Sequence, residues 1–271
     1  MIILTSPSDI AFTIKGFSVY YYGICMSLAL LGGFYLSYFI AKKDYKEIDT
    51  DILYDVITVA IIGGFLFARL YYCGVNFAYY SHHINEIFNF RQGGLAIHGG
   101  LIGGVIFGSV YAYFKKYPVL KLMDIFAYGL LFAQAIGRWG NFFNNEAYGL
   151  PARKFIGVFI PEASRIAGYE FYKYFHPTFL YESILNILAL FVLYFVIRNL
   201  NNRIDGLIFA GYLILYSTIR FMVEGLRLDC IVNVGAFHLP QIASVVTIIF
   251  AILFVILLHL KQKNNAKWYI I

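Results

Sequence analysis

Seven stretches of this chain are each about twenty residues long, strongly apolar and poor in charge: 17–41, 52–72, 93–114, 122–139, 177–197, 206–226 and 239–260. About 20 apolar residues in a helix cross the hydrocarbon core of a bilayer, and longer stretches cross with some tilt. The chain as a whole is 61% hydrophobic and 13% charged, against roughly 25% charged in ordinary globular domains. No soluble core of this size needs so much apolar surface. The expected fold is all-α: a polytopic membrane helix bundle of about seven transmembrane helices, one integral membrane domain over 1–271. No repeat of solenoid period is visible.

Most of the basic residues lie between these spans. The turns after spans one, three, five and seven hold Lys42, Lys43, Lys46, Lys115, Lys116, Lys121, Arg198, Arg203, Lys261, Lys263 and Lys267. The short loops on the other side hold fewer, such as Arg91 and Arg227. The positive-inside bias then puts the C-terminus in the cytoplasm and the N-terminus outside. The longest region between spans, 141–176, falls on the outer side. It is too short to fold alone and reads as a small external cap. Residues 1–16 lack the basic start, apolar core and small-residue cleavage site of a signal peptide, so they are expected to stay on the mature protein.

The net charge is +6. Because the basic residues are spread between apolar spans, nucleic acid is a poor partner and anionic lipid a good one. Cys25, Cys73 and Cys230 are odd in number and far apart, so they read as structural. Neither His82–His83 nor any other motif offers metal-ligand spacing, and no Gly-x-Ser-x-Gly or Walker loop occurs. No metal and no cofactor is expected.

The polar residues that remain are concentrated. Gly137-Arg138-Trp139-Gly140-Asn141-Phe142-Phe143-Asn144-Asn145-Glu146-Ala147-Tyr148-Gly149 follows an apolar run. So many donors and acceptors at a membrane surface must face protein, water or a ligand. One reading is an interfacial loop with Arg138 snorkelling to head groups. The other is a site for an anionic, partly lipidic substrate. In the third span, Gly99, Gly103, Gly104 and Gly108 make a small-xxx-small packing face. His98 stands among them, able either to bridge helices or to accept a proton near neutral pH. Snorkelling accounts for Arg69 near its span end, but not for Arg220 deep in the sixth span. Arg220, Glu224 and Arg227 sit at i, i+4 and i+7. They are either an internal ion pair or the lining of an anion site, since guanidinium binds phosphate in a fork. Glu182 near the start of the fifth span suits the helix dipole. Tyr20-Tyr21-Tyr22 is a candidate aromatic belt.

Together these stretches resemble the bacterial prolipoprotein diacylglyceryl transferases. The resemblance rests on Gly137-Arg138-x-Gly140-Asn141-Phe142-x-Asn144-x-Glu146-x-x-Gly149, on His98 to Gly103, and on His176-Pro177-Thr178 with Tyr181-Glu182. Tyr216 to Arg220 with Glu224 and Arg227, and Tyr22-Gly23, extend it over nearly the whole chain. The family implies transfer of the diacylglyceryl group of phosphatidylglycerol to the lipobox cysteine of a prolipoprotein signal peptide, with glycerol phosphate leaving. It implies a multi-pass protein of the bacterial plasma membrane that uses no cofactor. On this resemblance His98 is the candidate base for the thiol, and Arg138 and Arg220 stabilise the departing phosphate. Asn141 donates to that phosphate, and Glu146 and Glu224 orient the arginines. Tyr22 and Tyr216 line the head-group site, Gly149 allows close approach, and Asn144, Glu182 and Arg227 complete the substrate-binding set. The rival class is a transporter or channel for an anionic solute built on the same arginines. A purely structural subunit leaves the His and Arg set unexplained.

Overall fold

A computed structural model describes residues 4–89, 94, 96–200, 204–229 and 233–268. Strands β1 (Leu4–Thr5), β2 (Ile10–Ile14) and β3 (Phe17–Tyr20) precede helices α1 (Tyr21–Asp44) and α2 (Asp51–Val75). The one-turn α3 (Phe77–Tyr80) leads to α4 (Ile97–Phe114) and α5 (Val119–Phe143). Strands β4 (Val158–Phe159) and β5 (Tyr174–Phe175) come before α6 (Thr178–Val192), the short α7 (Arg198–Leu200) and α8 (Leu207–Glu224). Hairpin β6 (Asn233–Val234) and β7 (Phe237–His238) joins α9 (Leu239–Trp268). Among the described residues six helices are long and apolar enough to cross a membrane, and Gly99–Phe114 is a shorter apolar helix. The protein is an all-α polytopic membrane protein, as its hydropathy predicts.

The spans differ in detail from their hydropathy: the fourth runs on as helix to Phe143, so that Asn141 belongs to α5 and not to the cap. The first begins at Tyr21, because Phe17–Tyr20 pairs antiparallel with Ile10–Ile14. The turn between the strands has φ of 48° at Lys15 and 84° at Gly16, the left-handed pair that a tight hairpin requires. The fifth span changes from α to a π turn over Leu193–Ile197, a single wide turn of the kind that interrupts α-helices.

The chain divides into two compact units, Tyr38–Leu122 and the rest. In Tyr38–Leu122, α2 and α4 approach through glycine. A Cβ on Gly64 would stand 2.8 Å from the Gly100 carbonyl oxygen, and one on Gly104 3.3 Å from that of Ala60. Backbones this close gain dispersion contacts, the main attraction between helices in lipid. Arg69 corrects a sequence expectation. It does not snorkel, being 2% exposed. Its guanidinium donates to the carbonyls of Ile87 at 2.8 Å, Glu86 at 2.6 Å, Gly94 at 3.0 Å and Asn89 at 3.2 Å. A buried charge is tolerated when its donors are filled, and here they pin the segment after α3.

In the other unit the region between α5 and α6 is a small cap. β1 pairs parallel with β4, and β4 antiparallel with β5. Phe142, Tyr148, Val158, Ile160, Phe175 and Phe179 form its apolar core, so the cap is built on the ends of the two helices it connects. Tyr148 Oη donates to Ser164 O and accepts from Ile166 N, both at 2.8 Å. Burial pushes its phenol up from the ordinary tyrosine range, with only partial relief from the Ile166 N–H. Elsewhere in this unit, buried Asp124 on α5 accepts the N–H groups of Gly206 at 2.7 Å and Phe209 at 2.8 Å. A carboxylate thereby satisfies donors at the start of α8 that the helix itself leaves unpaired.

Candidate active site

Three helix ends converge beside the cap. The C-terminal turns of α5 carry Arg138 and Asn141, spaced i and i+3 on one face. The start of α6 carries Glu182, and the last turn of α8 carries Arg220 and Glu224. Arg227 follows in the loop. Their side chains form one row of alternating charge. Arg138 Nη2 lies 2.6 Å from Glu182 Oε1, and Glu182 Oε2 lies 3.5 Å from Arg220 Nη1. Arg220 Nη2 lies 2.6 Å from Glu224 Oε2, which is 3.8 Å from Arg227 Nη1. Arg227 ends the row in a fork on Asp229, at 2.8 Å through Nε and 2.6 Å through Nη2.

Burial within the row is uneven. The side chains of Glu182 and Glu224 are 2% and 3% exposed, while those of Arg138 and Arg220 keep 21% and 18%. The carboxylates are almost wholly buried, the arginine side chains only partly so, and Arg220 Nη1 is itself buried. Buried ions persist only when paired, and here each acid is paired with an arginine that it holds in place. Arg220 Nη1 makes no hydrogen bond among the described residues despite its ion pair with Glu182. Arg138, Asn141, Glu182 and Arg227 line a recess closed by Ala147, Thr178 and Phe179.

The rim is equally ordered. Asn141 Nδ2 donates to Glu146 Oε1 at 2.8 Å, and Arg138 Nη1 is 3.5 Å from Asn141 Oδ1. Asn144 closes the end of α5 through its N–H to Gly140 O at 3.1 Å. Asn145 and Ala147 then take φ of 52° and 56°. Side-chain residues reach this left-handed region at a cost of about 1–2 kcal/mol each, so surrounding contacts must hold the turn. Thr178 Oγ1 supplies one such contact by donating to Ala147 O. Gly149 pairs with the chain itself: its N–H donates to His176 O at 2.9 Å, and a Cβ there would meet Leu226 O at 2.8 Å. The close approach this glycine permits is that of the loop carrying Leu226 and Arg227 against the cap.

Most of the expected set is therefore in one place. Arg138, Asn141, Glu146, Glu182, Arg220, Glu224 and Arg227 are joined by hydrogen bonds or ion pairs. Glu224 contacts two arginines. Glu146 reaches the row through Asn141. Glu182 does more than oppose a helix dipole, because it bridges Arg138 and Arg220. Tyr22 packs at Gly140, where a Cβ would lie 2.9 Å from its ring. Tyr216, one turn before Arg220, stacks on Tyr212 with ring centres 6.0 Å apart. His98 lies in the first turn of α4; its side chain, like all of Arg91 and Cys230, lies outside the described residues.

Asp229 belongs to the row and was not singled out by the sequence. Its burial opposes ionisation, but the Arg227 fork outweighs this and holds its carboxyl below the ordinary aspartate range. The available signal was local: an acid two residues after an arginine, in a loop that must turn back on itself.

The prolipoprotein diacylglyceryl transferase family model matches residues 9–257. The phosphatidylglycerol–prolipoprotein diacylglyceryl transferase of Clostridium novyi (strain NT) is 43% identical over 264 residues, covering 96% of this chain and 99% of that protein. The protein of the same name from Streptococcus uberis is 39% identical, covering 94% of this chain and 96% of its own length. That from Clostridioides difficile is 38% identical, with 94% and 97% covered. With the family model matching residues 9–257 and these relatives 38–43% identical over more than nine-tenths of the chain, the chain belongs to the prolipoprotein diacylglyceryl transferase family.

Proposed function

We propose that this protein moves the diacylglyceryl group of phosphatidylglycerol onto the cysteine thiol of a prolipoprotein lipobox. It is a transferase reading, the first step of lipoprotein maturation. One observation carries it: the carboxylate-anchored row of Arg138, Arg220 and Arg227, whose side chains keep partial exposure at the end of a membrane bundle. A lipid phosphate is the anion that reaches such a place from the bilayer. The names of the relatives specify the same two substrates.

The chemistry is a displacement at carbon. The cysteine thiol gives up its proton and its sulfur attacks the glyceryl carbon that bears the phosphate. The carbon–sulfur bond forms as the carbon–oxygen bond breaks, and glycerol phosphate leaves with the electron pair. A free thiol has a pKa near 8.5, so a base is needed at neutral pH. His98 takes that role in this reading. Arg138 and Arg220 meet the charge that grows on the departing phosphate. Asn141, held by Glu146, offers it a hydrogen bond. Glu182 and Glu224 aim the guanidinium groups. Tyr22, Tyr216, Asn144 and Arg227 surround the head group, and Gly149 holds the cap against the row.

The membrane is the bacterial plasma membrane, with the N-terminus and cap outside and the C-terminus cytoplasmic. The Lys and Arg bias of alternate loops supports this. A reporter fused after Lys267 should act as a cytoplasmic protein; activity only on the outside would reverse the assignment.

The direct test is a purified assay with phosphatidylglycerol and a lipobox peptide. Thioether product and glycerol phosphate should appear in equal amounts. A peptide with serine at the lipobox cysteine should give neither. If purified, folded protein yields no thioether, the transferase reading fails.

A further inference from the structure

The hairpin of β2 and β3 has two chemically different faces. Cross-strand partners point to the same side of a ribbon. The pairs Phe12–Val19 and Ile14–Phe17 lie on one side, and Thr13–Ser18 on the other. Thr13 and Ser18 join across the polar side, Oγ1 to Oγ at 3.3 Å. The apolar side is uncovered: Phe12 is 50% exposed, Ile14 58% and Phe17 76%. Lys15 stands at the tip with Gly16. Two-stranded ribbons are marginal alone in water, so an apolar face this open calls for a medium to cover it.

The position of the hairpin says which medium. β3 ends at Tyr20 and the membrane-crossing α1 begins at the next residue, Tyr21. No linker separates the ribbon from the span, so it stands where the span meets the bilayer surface. An aromatic and aliphatic face with a cation at its tip is the composition that settles at the boundary of head groups and acyl chains. Both flanks of the ribbon are fastened to the same point. Before it, Ser6 Oγ donates to Phe143 O at 3.1 Å; after it, the Tyr21 ring stacks on that of Phe143 at 4.4 Å. Phe143 ends α5, two residues beyond Asn141.

We propose that the β2–β3 hairpin is an in-plane membrane anchor. Its Phe12–Ile14–Phe17 face lies in the lipid interface, with Lys15 among anionic head groups. Through Phe143 it holds the end of α5, and with it the rim of the arginine row, at head-group height. The placement stands independently of the reaction assigned to the row.

Nitroxide depth measurements test it. The full chain, with Cys25, Cys73 and Cys230 changed to alanine, is labelled at Ile14→Cys, Phe17→Cys, Thr13→Cys or Ser18→Cys. It is reconstituted in phosphatidylcholine vesicles containing phosphatidylglycerol. Labels at 14 and 17 should collide with oxygen several-fold more than with a water-soluble nickel chelate. Labels at 13 and 18 should show the reverse preference. Equal access of the chelate to both faces means the ribbon stands in water and overturns the proposal. Protection of 14 and 17 from both agents means protein covers the face and overturns it too. Should the cysteine-free chain not fold, Phe17→Trp and Ser18→Trp in the otherwise unchanged protein give the same decision. Quenching by shallow brominated lipid, read as the difference from the parent, should be several-fold greater at 17 than at 18. Equal quenching would exclude the anchor.

Discussion

Arg138→Lys should lower turnover by roughly 10²–10³-fold, the usual cost of removing one positioned donor from a developing oxyanion. The charge survives but the fork does not. In the native protein one arm of the guanidinium lies on Glu182 at 2.6 Å, and the other points toward Asn141 at 3.5 Å. A lysine ammonium is a single point on a flexible stem and cannot serve Glu182, Asn141 and a phosphate together. The loss should appear in the chemical step more than in lipid binding, because the charge that draws the head group remains. Thermal unfolding of the detergent-solubilised variant, measured first, separates this from misfolding. Turnover close to the parent in a folded Lys variant would reduce Arg138 to a structural ion-pair partner.

A loss of about 10²–10⁴-fold is expected for His98→Gln if the imidazole takes the thiol proton, as general base catalysis contributes that much. Gln keeps a hydrogen-bonding end but cannot accept a proton. The variant should therefore recover with rising pH, as the peptide thiol ionises by itself toward its pKa near 8.5. The parent should depend less steeply on pH over the same interval. Single-turnover transfer against pH, at matched stability, reads both. A wild-type rate and profile in the Gln variant would sink the base assignment and leave the transferase reading standing on the arginine row.

What the sequence reveals here depends on how far apart the partners are. Apolar length located every membrane helix, because burial in lipid is a local demand on consecutive residues. It misplaced the start of α1, since Phe17–Tyr20 is as apolar as the helix that follows and hydropathy cannot tell strand from helix in so short a run. The Lys15-Gly16 turn was the available correction. Arg220, Glu224 and Arg227 were legible as neighbours through helical spacing. The Arg138–Glu182 and Glu182–Arg220 links were not, because they join different helices. Arg69 shows the same limit. Its carbonyl partners are 17 to 25 residues downstream, and nothing local distinguishes such an arginine from one that snorkels. The cap sheet pairs Leu4 with Val158, a contact that no periodicity announces.

The Asp124 carboxylate has a consequence for how the bundle can come apart. It sits on α5, yet the N–H groups it accepts belong to the beginning of α8. Neither helix can slide along or out of the bundle alone without leaving a bare anion on one side and open amide donors on the other. In hydrocarbon each such vacancy costs several kcal/mol. The two helices are therefore latched as a pair. Since one brings Arg138 and the other Arg220, the latch also keeps these two arginines in register with each other.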